Sequence, residues 1–300
     1  MTIDPDFERY CRSYADQHNE QQEAIATEHQ QRIGQGKEQW NAWAKNFAEY
    51  VETNQIKDGY IDFSRTKWDD PIDLSGYHFP VNTNFIKATF LGYANFRGAT
   101  FSGDASFSEA TFSGYASFSM AKFSGNASFD GAAFSGTVSL ANTTFDQQLD
   151  LTQVTFIKVP DFNQVSYKET PYISDMSIPW SVDGNDDENN DKNNVHRYRK
   201  LKKMAVDDAD HELEVKFFAY ETHCKLYLKK THWMQKSLIW LYWLCSNFGQ
   251  SLLRPLIGLV LVFALFTGPS YFLLVASENA NPLCKDQVLM TKNKRGRFPF

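Results

Sequence analysis

The chain has little of what usually announces a chemistry or a compartment. Its four cysteines, Cys11, Cys224, Cys245 and Cys284, are scattered and share no metal-ligand spacing. No disulfide framework is implied, so a reducing compartment is expected for most of the chain. The basic surplus of a general nucleic-acid binder is missing too, because the formal net charge is −6. The opening MTIDPDFERYCRSY is polar and acidic and lacks the apolar run of a signal peptide, which places the bulk of the protein in the cytoplasm as an expectation. No nucleophile with a base, no carboxylate pair and no cofactor loop is visible, and the seven histidines are dispersed. Neither an enzyme, a cofactor, a metal nor a small-molecule substrate is expected.

What the chain does have is phenylalanine, 25 of them, crowded into one region. The stretch ASFSEATFSGYASFSMAKFSGNASF carries Phe107, Phe112, Phe118, Phe123 and Phe129, so the gap alternates between five and six. The phase extends without a miss through Phe63, Trp68, Leu74, Phe79, Phe85, Phe90, Phe96 and Phe101 before the stretch. After it come Phe134, Leu140, Phe145, Leu151, Phe156, Phe162 and Tyr167. Two residues before each sits a second, mostly small position, Ala88, Ala94, Ala99, Ala105, Ala110, Ala116, Ala121, Ala127 and Ala132 among them, with Tyr77 and Pro160 as outliers.

An α-helix cannot use this period. At about 100° per residue, residues five apart lie roughly 140° from each other and share no face. A triangular hexapeptide solenoid needs a constant gap of six. A four-sided β-solenoid fits, with one wall and one corner per gap and 22 residues per coil. The large residue and the small one two before it then both point into the lumen, because side chains alternate along an extended wall. Five coils at about 4.8 Å give a rod roughly 24 Å tall. At the wide corners the extra residues form two columns, Tyr93, Tyr115, Thr137, Val159 and Asn82, Asp104, Asn126, Gln148. Glycines before them (Gly92, Gly103, Gly114, Gly125, Gly136) are expected to supply a positive φ.

Residues 61–167 resemble the pentapeptide-repeat family, whose motif reads here as ANFRG, ATFSG, ASFSE and ASFSG. The resemblance implies a right-handed quadrilateral β-helix, a mainly β solenoid flanked by α-helices. The segment GKEQWNAWAKNF resembles a G-x-x-x-W-N-x-W element found just upstream of such repeats. An open solenoid end exposes apolar cross-section and unpaired strand edge, so Trp40, Trp43 and Phe47, on one helical face, are expected to cap it. The organisation read from the chain is 1–58 helical segment and cap, 59–170 β-helix, 171–194 disordered linker, 195–246 long helix and interfacial amphipathic helix, 252–276 transmembrane helix and 277–300 tail. The linker follows from SVDGNDDENNDKNN, which is almost without apolar residues.

In 195–230 an apolar stripe of Leu201, Met204, Val215, Phe218 and Leu226 is read, while His211, Glu212, Glu214, His223 and Cys224 lack the spacing of a metal site. This segment and the SNFGQSLLRPL beyond it resemble the tail of membrane-associated pentapeptide-repeat proteins. The run 256–276 is 21 residues without a charge, enough to cross a bilayer. Before it, WMQKSLIWLYWLC, bordered by Lys225, Lys229, Lys230 and Lys236, suits a helix lying at an anionic interface.

The expected protein is a single-pass membrane scaffold with its repeat domain cytoplasmic, at the inner membrane if the cell is Gram-negative. The lipid bilayer and a protein partner of unassigned identity are its expected contacts, and no direct nucleic-acid binding is expected. Flat walls with Asn95, Ser117 and Ser139, and a corner with Tyr93 and Tyr115, are the candidate partner surface. Two other functions compete. The resemblance admits a DNA mimic acting on DNA gyrase, although ten acidic against six basic residues in 61–167 is a thin charge for that role. It also admits an accessory or shortened channel or transporter subunit, although only one apolar segment is long enough to span.

Overall fold

The computed structural model describes residues 20–56, 59–178, 188–227, 231–246, 253–254, 256–261 and 263. It contains a β-solenoid between two helical pairs. Two compact units are separable, 1–236 and 237–300, and each is described by itself.

Four parallel sheets form the four walls of the rod. Every paired strand lies 22 residues from its partner, as in Thr111↔Ala133, Ala116↔Val138, Lys122↔Thr144 and Ala127↔Leu149. Each wall strand is only two or three residues long, because a corner follows at once. The large-apolar positions from Phe63 to Phe162 are buried, and the Ala positions two before them are buried as well. Tyr77 and Pro160, the outliers, are also inside. Tyr167 is half-buried: its ring sits at the end of the core, and its hydroxyl donates to Asp207 at 2.8 Å.

Identical residues stacked at coil spacing place ring upon ring. Phe63, Phe85, Phe107 and Phe129 form one column with centroids 4.8, 4.8 and 5.0 Å apart. Phe90, Phe112, Phe134 and Phe156 form another at 4.8, 4.7 and 5.2 Å. Phe79, Phe101, Phe123 and Phe145 form a third at 4.7, 4.7 and 4.9 Å, with Phe123 fully buried in it. Neighbouring columns meet edge to face, as Phe107 does with Phe118 at 5.4 Å and 83°. Offset stacking along the axis and edge-to-face contact across it are the two favoured aromatic geometries, so a lumen filled with Phe satisfies both directions at once.

The corners correct one expectation. Positive φ falls in the short gaps, two residues after the large position: Lys87, Glu109, Gly131 and Gln153 on one corner, Gly98, Met120, Asn142 and Gln164 on the opposite one. The glycines of the wide corners do not have it. They are there because the coils touch. A Cβ on Gly114 would lie 2.4 Å from the Gly92 carbonyl oxygen, and one on Gly136 would lie 2.1 Å from that of Gly114. The short corners are closed differently, by a side chain one residue before the large position. Asn84 Oδ1 accepts the Ile86 N–H at 2.8 Å and Asp150 Oδ1 accepts the Thr152 N–H at 2.9 Å, as Asx turns do.

The domain boundaries also shift. Residues 171–178, expected to be linker, continue the rod: Tyr172 bridges Asp150, Ser177 bridges Thr155, and Ile173, Met176 and Ile178 are buried. The gap of six then five persists from Tyr167 through Ile173 to Ile178, but without Phe to mark it. At the other end of that stretch, 188–194 is already helix, the start of a helix spanning Glu188–Asp207. Polar composition alone does not forbid a helix when its continuation packs against a core.

Helices flank the rod on both sides. α1 (Glu20–Ile33) and α2 (Lys37–Thr53) precede it; α3 (Glu188–Asp207) and α4 (His211–Tyr227) follow it, and α5 is Trp233–Ser246. The single long helix expected over 195–230 is instead an antiparallel hairpin. Ala209 takes φ 57° in the turn, and Asp210 starts α4 by accepting the Leu213 N–H at 3.0 Å. The break moves the apolar face. Leu201, Met204, Leu213, Phe217 and Cys224 are buried, whereas Val215 and Phe218, expected in the stripe, are exposed.

Among the described residues no helix is long and apolar enough to cross a membrane. Of the run 256–276, residues 256–261 and 263 are described, helical and exposed; the remainder lies outside the described residues, as does the tail 277–300.

Candidate interaction surface

Both ends of the rod are shut, and each cap does so with side chains that replace a missing coil. At the first coil, Trp40 is fully buried and meets Phe63 at 5.9 Å and Phe79 at 5.6 Å, covering the open cross-section of the lumen. Trp43 and Phe47 stack behind it at 5.2 Å. The strand edge is answered group by group. Trp40 Nε1 donates to the His78 carbonyl at 2.8 Å, Asn41 Oδ1 accepts the His78 N–H at 2.9 Å, and Gln30 Nε2 donates to the Lys67 carbonyl at 3.0 Å. The Asp62 N–H donates to Nδ1 of the buried His29 at 3.1 Å. The sequence names the three aromatic plugs; the polar partners His29, Gln30 and Asn41 carry no periodic signal.

The C-terminal cap has no counterpart in the sequence reading. α3 lays Val195, Tyr198, Leu201 and Met204, all buried, over the last coils. Arg197 donates to the Val159 carbonyl at 3.3 Å and Lys200 to the Val165 carbonyl at 3.4 Å, while Asp208 accepts the Ile173 N–H at 3.3 Å. Burial first, then the bond to Asp207, pushes the Tyr167 phenol far above its ordinary range. In the hairpin itself, Glu221 is nearly enclosed and holds Arg199 at 3.1 Å, Lys202 at 2.8 Å and Lys225 at 3.0 Å. Burial pushes its carboxyl up, but the bonds from Lys202 and Lys225 outweigh that and bring it down to about 2.

With the ends closed, the walls and corners are what remains of the rod for a partner. Of the wall residues, Ser117 and Ser139 are buried, and Ser139 Oγ is tied to Ser119 Oγ at 2.8 Å. Their hydroxyls are thus spent on the rod, which corrects their assignment to an open binding wall; Asn95 is half-buried and bonds Asp73 at 2.9 Å. One wide corner is a polar ladder, with Asn82 Oδ1 accepting the Asp104 N–H at 2.9 Å and Asp104 Oδ1 accepting the Asn126 N–H at 2.7 Å.

The other wide corner is different. Tyr93 and Tyr115 are 38% and 41% exposed and stack at 5.3 Å and 16°. Leu91 is exposed close by in the chain, and the glycines before each Tyr present bare backbone. The tyrosines therefore stand as a ridge above a strip without side chains.

Among the described residues, groups that could do chemistry meet at most in pairs. His78 Nε2 lies 2.9 Å from Ser102 Oγ, and burial holds the ring below its usual range. The Ser102 N–H is spent on the Phe79 carbonyl at 2.9 Å, so it offers no oxyanion donor. His211 pairs with Glu214 at 3.3 Å, Cys224 is buried, and no group of three metal-type ligands occurs among the described residues.

Residues 63–111 and 107–155 match the family description of pentapeptide repeats, nine copies. The rod is a pentapeptide-repeat solenoid. The chain matches no curated protein and no solved structure. In pentapeptide-repeat terms, the match spans the region of Phe-on-Phe columns, and the described structure carries the coil onward to Ile178.

Proposed function

We propose that this protein is a non-enzymatic, membrane-anchored scaffold, in which a pentapeptide-repeat rod of fixed length presents its aromatic corner to a protein partner. The Tyr93–Tyr115 ridge carries the reading. Stacked, half-exposed tyrosines on a rigid corner lose little conformational entropy on binding and supply amphipathic contact area, which is the profile of a binding hot spot. The lumen, packed with phenylalanine, leaves no room for a substrate.

Anchoring draws on the C-terminal part. In α5, Trp233, Leu238 and Trp240 are 69%, 65% and 54% exposed, with Met234, Leu241 and Leu244 also open. At about 100° per residue these side chains fall in one broad arc, and the remaining arc carries Ile239, Tyr242 and Trp243 beside Gln235 and Lys236, so α5 is apolar nearly all round. A helix so rich in tryptophan and tyrosine suits the headgroup boundary, and the 21 uncharged residues of 256–276 suit the hydrocarbon beyond it. The repeat domain then lies on the cytoplasmic side.

Photo-crosslinking from position 91 or 113, exposed sites two residues before each tyrosine, tests the scaffold in native membranes, with the same probes in a Tyr93→Ser/Tyr115→Ser background as the control. One protein captured by both positions, and lost in the double variant while its stability changes by no more than about 1 kcal/mol, is the expected result. A captured set that the double variant leaves unchanged refutes the ridge as the partner surface. Carbonate extraction tests the anchor: the protein stays with the membranes, and release by salt alone removes the spanning segment from the proposal.

A further inference from the structure

We infer that the tyrosine corner holds a polyproline II segment of a partner protein, laid along the rod with a basic residue at Asp70 and an acidic one at Lys158. This rests on the reading of the Tyr93–Tyr115 ridge as the partner surface. The 22-residue register stacks Asp70, Gly92, Gly114, Gly136 and Lys158 in one column. Its middle is bare backbone over the coils of the three glycines. Its two ends are charged and exposed, and neither is in an ion pair among the described residues. Tyr93 and Tyr115 border the column on one side, and the exposed Leu91, Ser113, Ser135 and Ile157 border it on the other.

The opposite wide corner shows what this one lacks. There the N–H groups of Asp104 and Asn126 are answered by the exposed side chains of Asn82 and Asp104, each from the coil before. At the tyrosine corner Pro71, Tyr93 and Tyr115 occupy the acceptor positions and carry no carboxyl or amide oxygen. The N–H groups of Tyr93, Tyr115 and Thr137 accordingly have no acceptor among the described residues. Tyr93 and Thr137 are two coils apart, about 9.6 Å. A polyproline II helix turns once in three residues of about 3.1 Å, so carbonyls on one side recur at about 9.3 Å, free of internal hydrogen bonds. An extended strand repeats a face at about 6.7 Å and matches neither one coil nor two. Over the whole column, four coils span about 19.2 Å and six polyproline steps about 18.6 Å. Residues i and i+6, on one face of the segment, therefore reach Asp70 and Lys158 together. The tyrosine rings supply the aromatic wall against which proline packs.

The test titrates labelled peptides with the full chain in detergent, read by fluorescence anisotropy. KPPPPPE or its reverse, EPPPPPK, should bind with saturation. KGGGGGE, which keeps the charges without the preformed helix, should bind at least roughly tenfold more weakly. KPPPPPK should bind the parent about threefold more weakly than the better mixed peptide, and Lys158→Glu should invert that order. Tyr93→Ser/Tyr115→Ser should lose all of this binding. Equal affinity of KPPPPPE and KGGGGGE, or an order that Lys158→Glu leaves unchanged, overturns the polyproline segment. So does the absence of saturable binding at about 1 mM peptide. If crosslinks from 91 and 113 still capture one protein that the double variant loses, the ridge stands while the segment falls. A second copy of this chain as the captured protein gives the surface to self-association and overturns the segment as well. Peptide binding undiminished by the two Tyr changes lies elsewhere on the chain and overturns the proposal.

Discussion

Replacing Gly114 by Ala adds one methyl group to the outside of the rod, where a surface substitution would ordinarily be neutral. The structure says otherwise. The new Cβ would sit 2.4 Å from the Gly92 carbonyl oxygen, 2.6 Å from its carbon and 3.1 Å from the Tyr93 nitrogen, all of them backbone of the preceding coil. Reaching even 3.0 Å requires the coils to part locally by at least roughly 0.6 Å, and overpacking of this kind costs about 1–3 kcal/mol. The ladder bonds beside the corner, Ala94 N–H to Tyr115 O at 2.9 Å and Ser113 N–H to Phe90 O at 2.8 Å, would stretch to the limit of a hydrogen bond. Losing one or two of them adds about 1 kcal/mol each. The sum is about 3 kcal/mol, or about 9 °C in melting temperature for a unit of this size.

The control is Gly98→Asn. Gly98 has φ 65° and nothing within 4 Å of a Cβ, and the same corner one to three coils on is occupied by Met120, Asn142 and Gln164 at φ 61°, 61° and 55°. Asn should cost less than about 1 kcal/mol there. Thermal unfolding of the full chain in detergent, followed by circular dichroism, compares the two. If Gly98→Asn melts at or below Gly114→Ala, the wide-corner glycines serve conformation after all, and the steric account is wrong.

Phe112→Asp should cost at least about 4 kcal/mol, since it removes a buried ring and leaves an unpaired carboxylate in the lumen, while Ser113→Asp on the exposed side should melt like the parent; equal melting of the two would contradict the inward register. Trp40→Ala should cost roughly 3–5 kcal/mol and expose the first coil, read as protease cleavage that begins at the N-terminal end of the rod; uniform resistance along the rod would deny the cap its role. Glu221 has a folded pKa of about 2, below its unfolded value, so its contribution is complete above the unfolded pKa, near 4.5, and is lost as pH falls toward 2. Glu221→Gln should therefore weaken the hairpin at pH 7 by roughly 2 kcal/mol and abolish that part of the acid dependence; an acid titration identical in parent and variant would exclude it.

Large residues held in phase from Phe63 through Phe123 to Tyr167 make the coil, its 22-residue length and its four walls legible in the sequence, because a lumen admits only one side-chain size class at each layer. The same clarity misleads where the signal changes letters. Ile173 and Ile178 keep the phase with smaller side chains, so a reading keyed to aromatics ends the rod too early and takes its last part-coil for linker. The wide-corner glycines are visible, but a sequence does not distinguish a glycine needed for φ from one needed for clearance; only the 2.1–2.7 Å approach of the preceding coil does that. Trp40, Trp43 and Phe47 announce the first cap through helical spacing. The second cap relies on Arg197, Lys200 and Asp208, charged residues whose partners are carbonyls and N–H groups of a distant strand edge, and no local pattern encodes that. Ser117 and Ser139 mislead for a different reason: polarity in the sequence does not reveal that a hydroxyl is already engaged.

Closing both ends changes what a solenoid is for. An uncapped coil offers its edge to another copy and can grow, since each repeat is stabilised mainly by its neighbours. Here the first edge is occupied by Trp40, Asn41, Gln30 and His29, and the last by α3, so the repeat number is set by the chain itself. At about 4.8 Å per coil, the distance between the caps is then a fixed length of roughly 25 Å. A phenylalanine lumen holds that length stiffly, because each ring is clamped by one above, one below and others at its edge. Such a body is suited to holding something at a set distance, and the ridge at Tyr93 and Tyr115 lies on coils between the two caps, where a lateral partner would meet it.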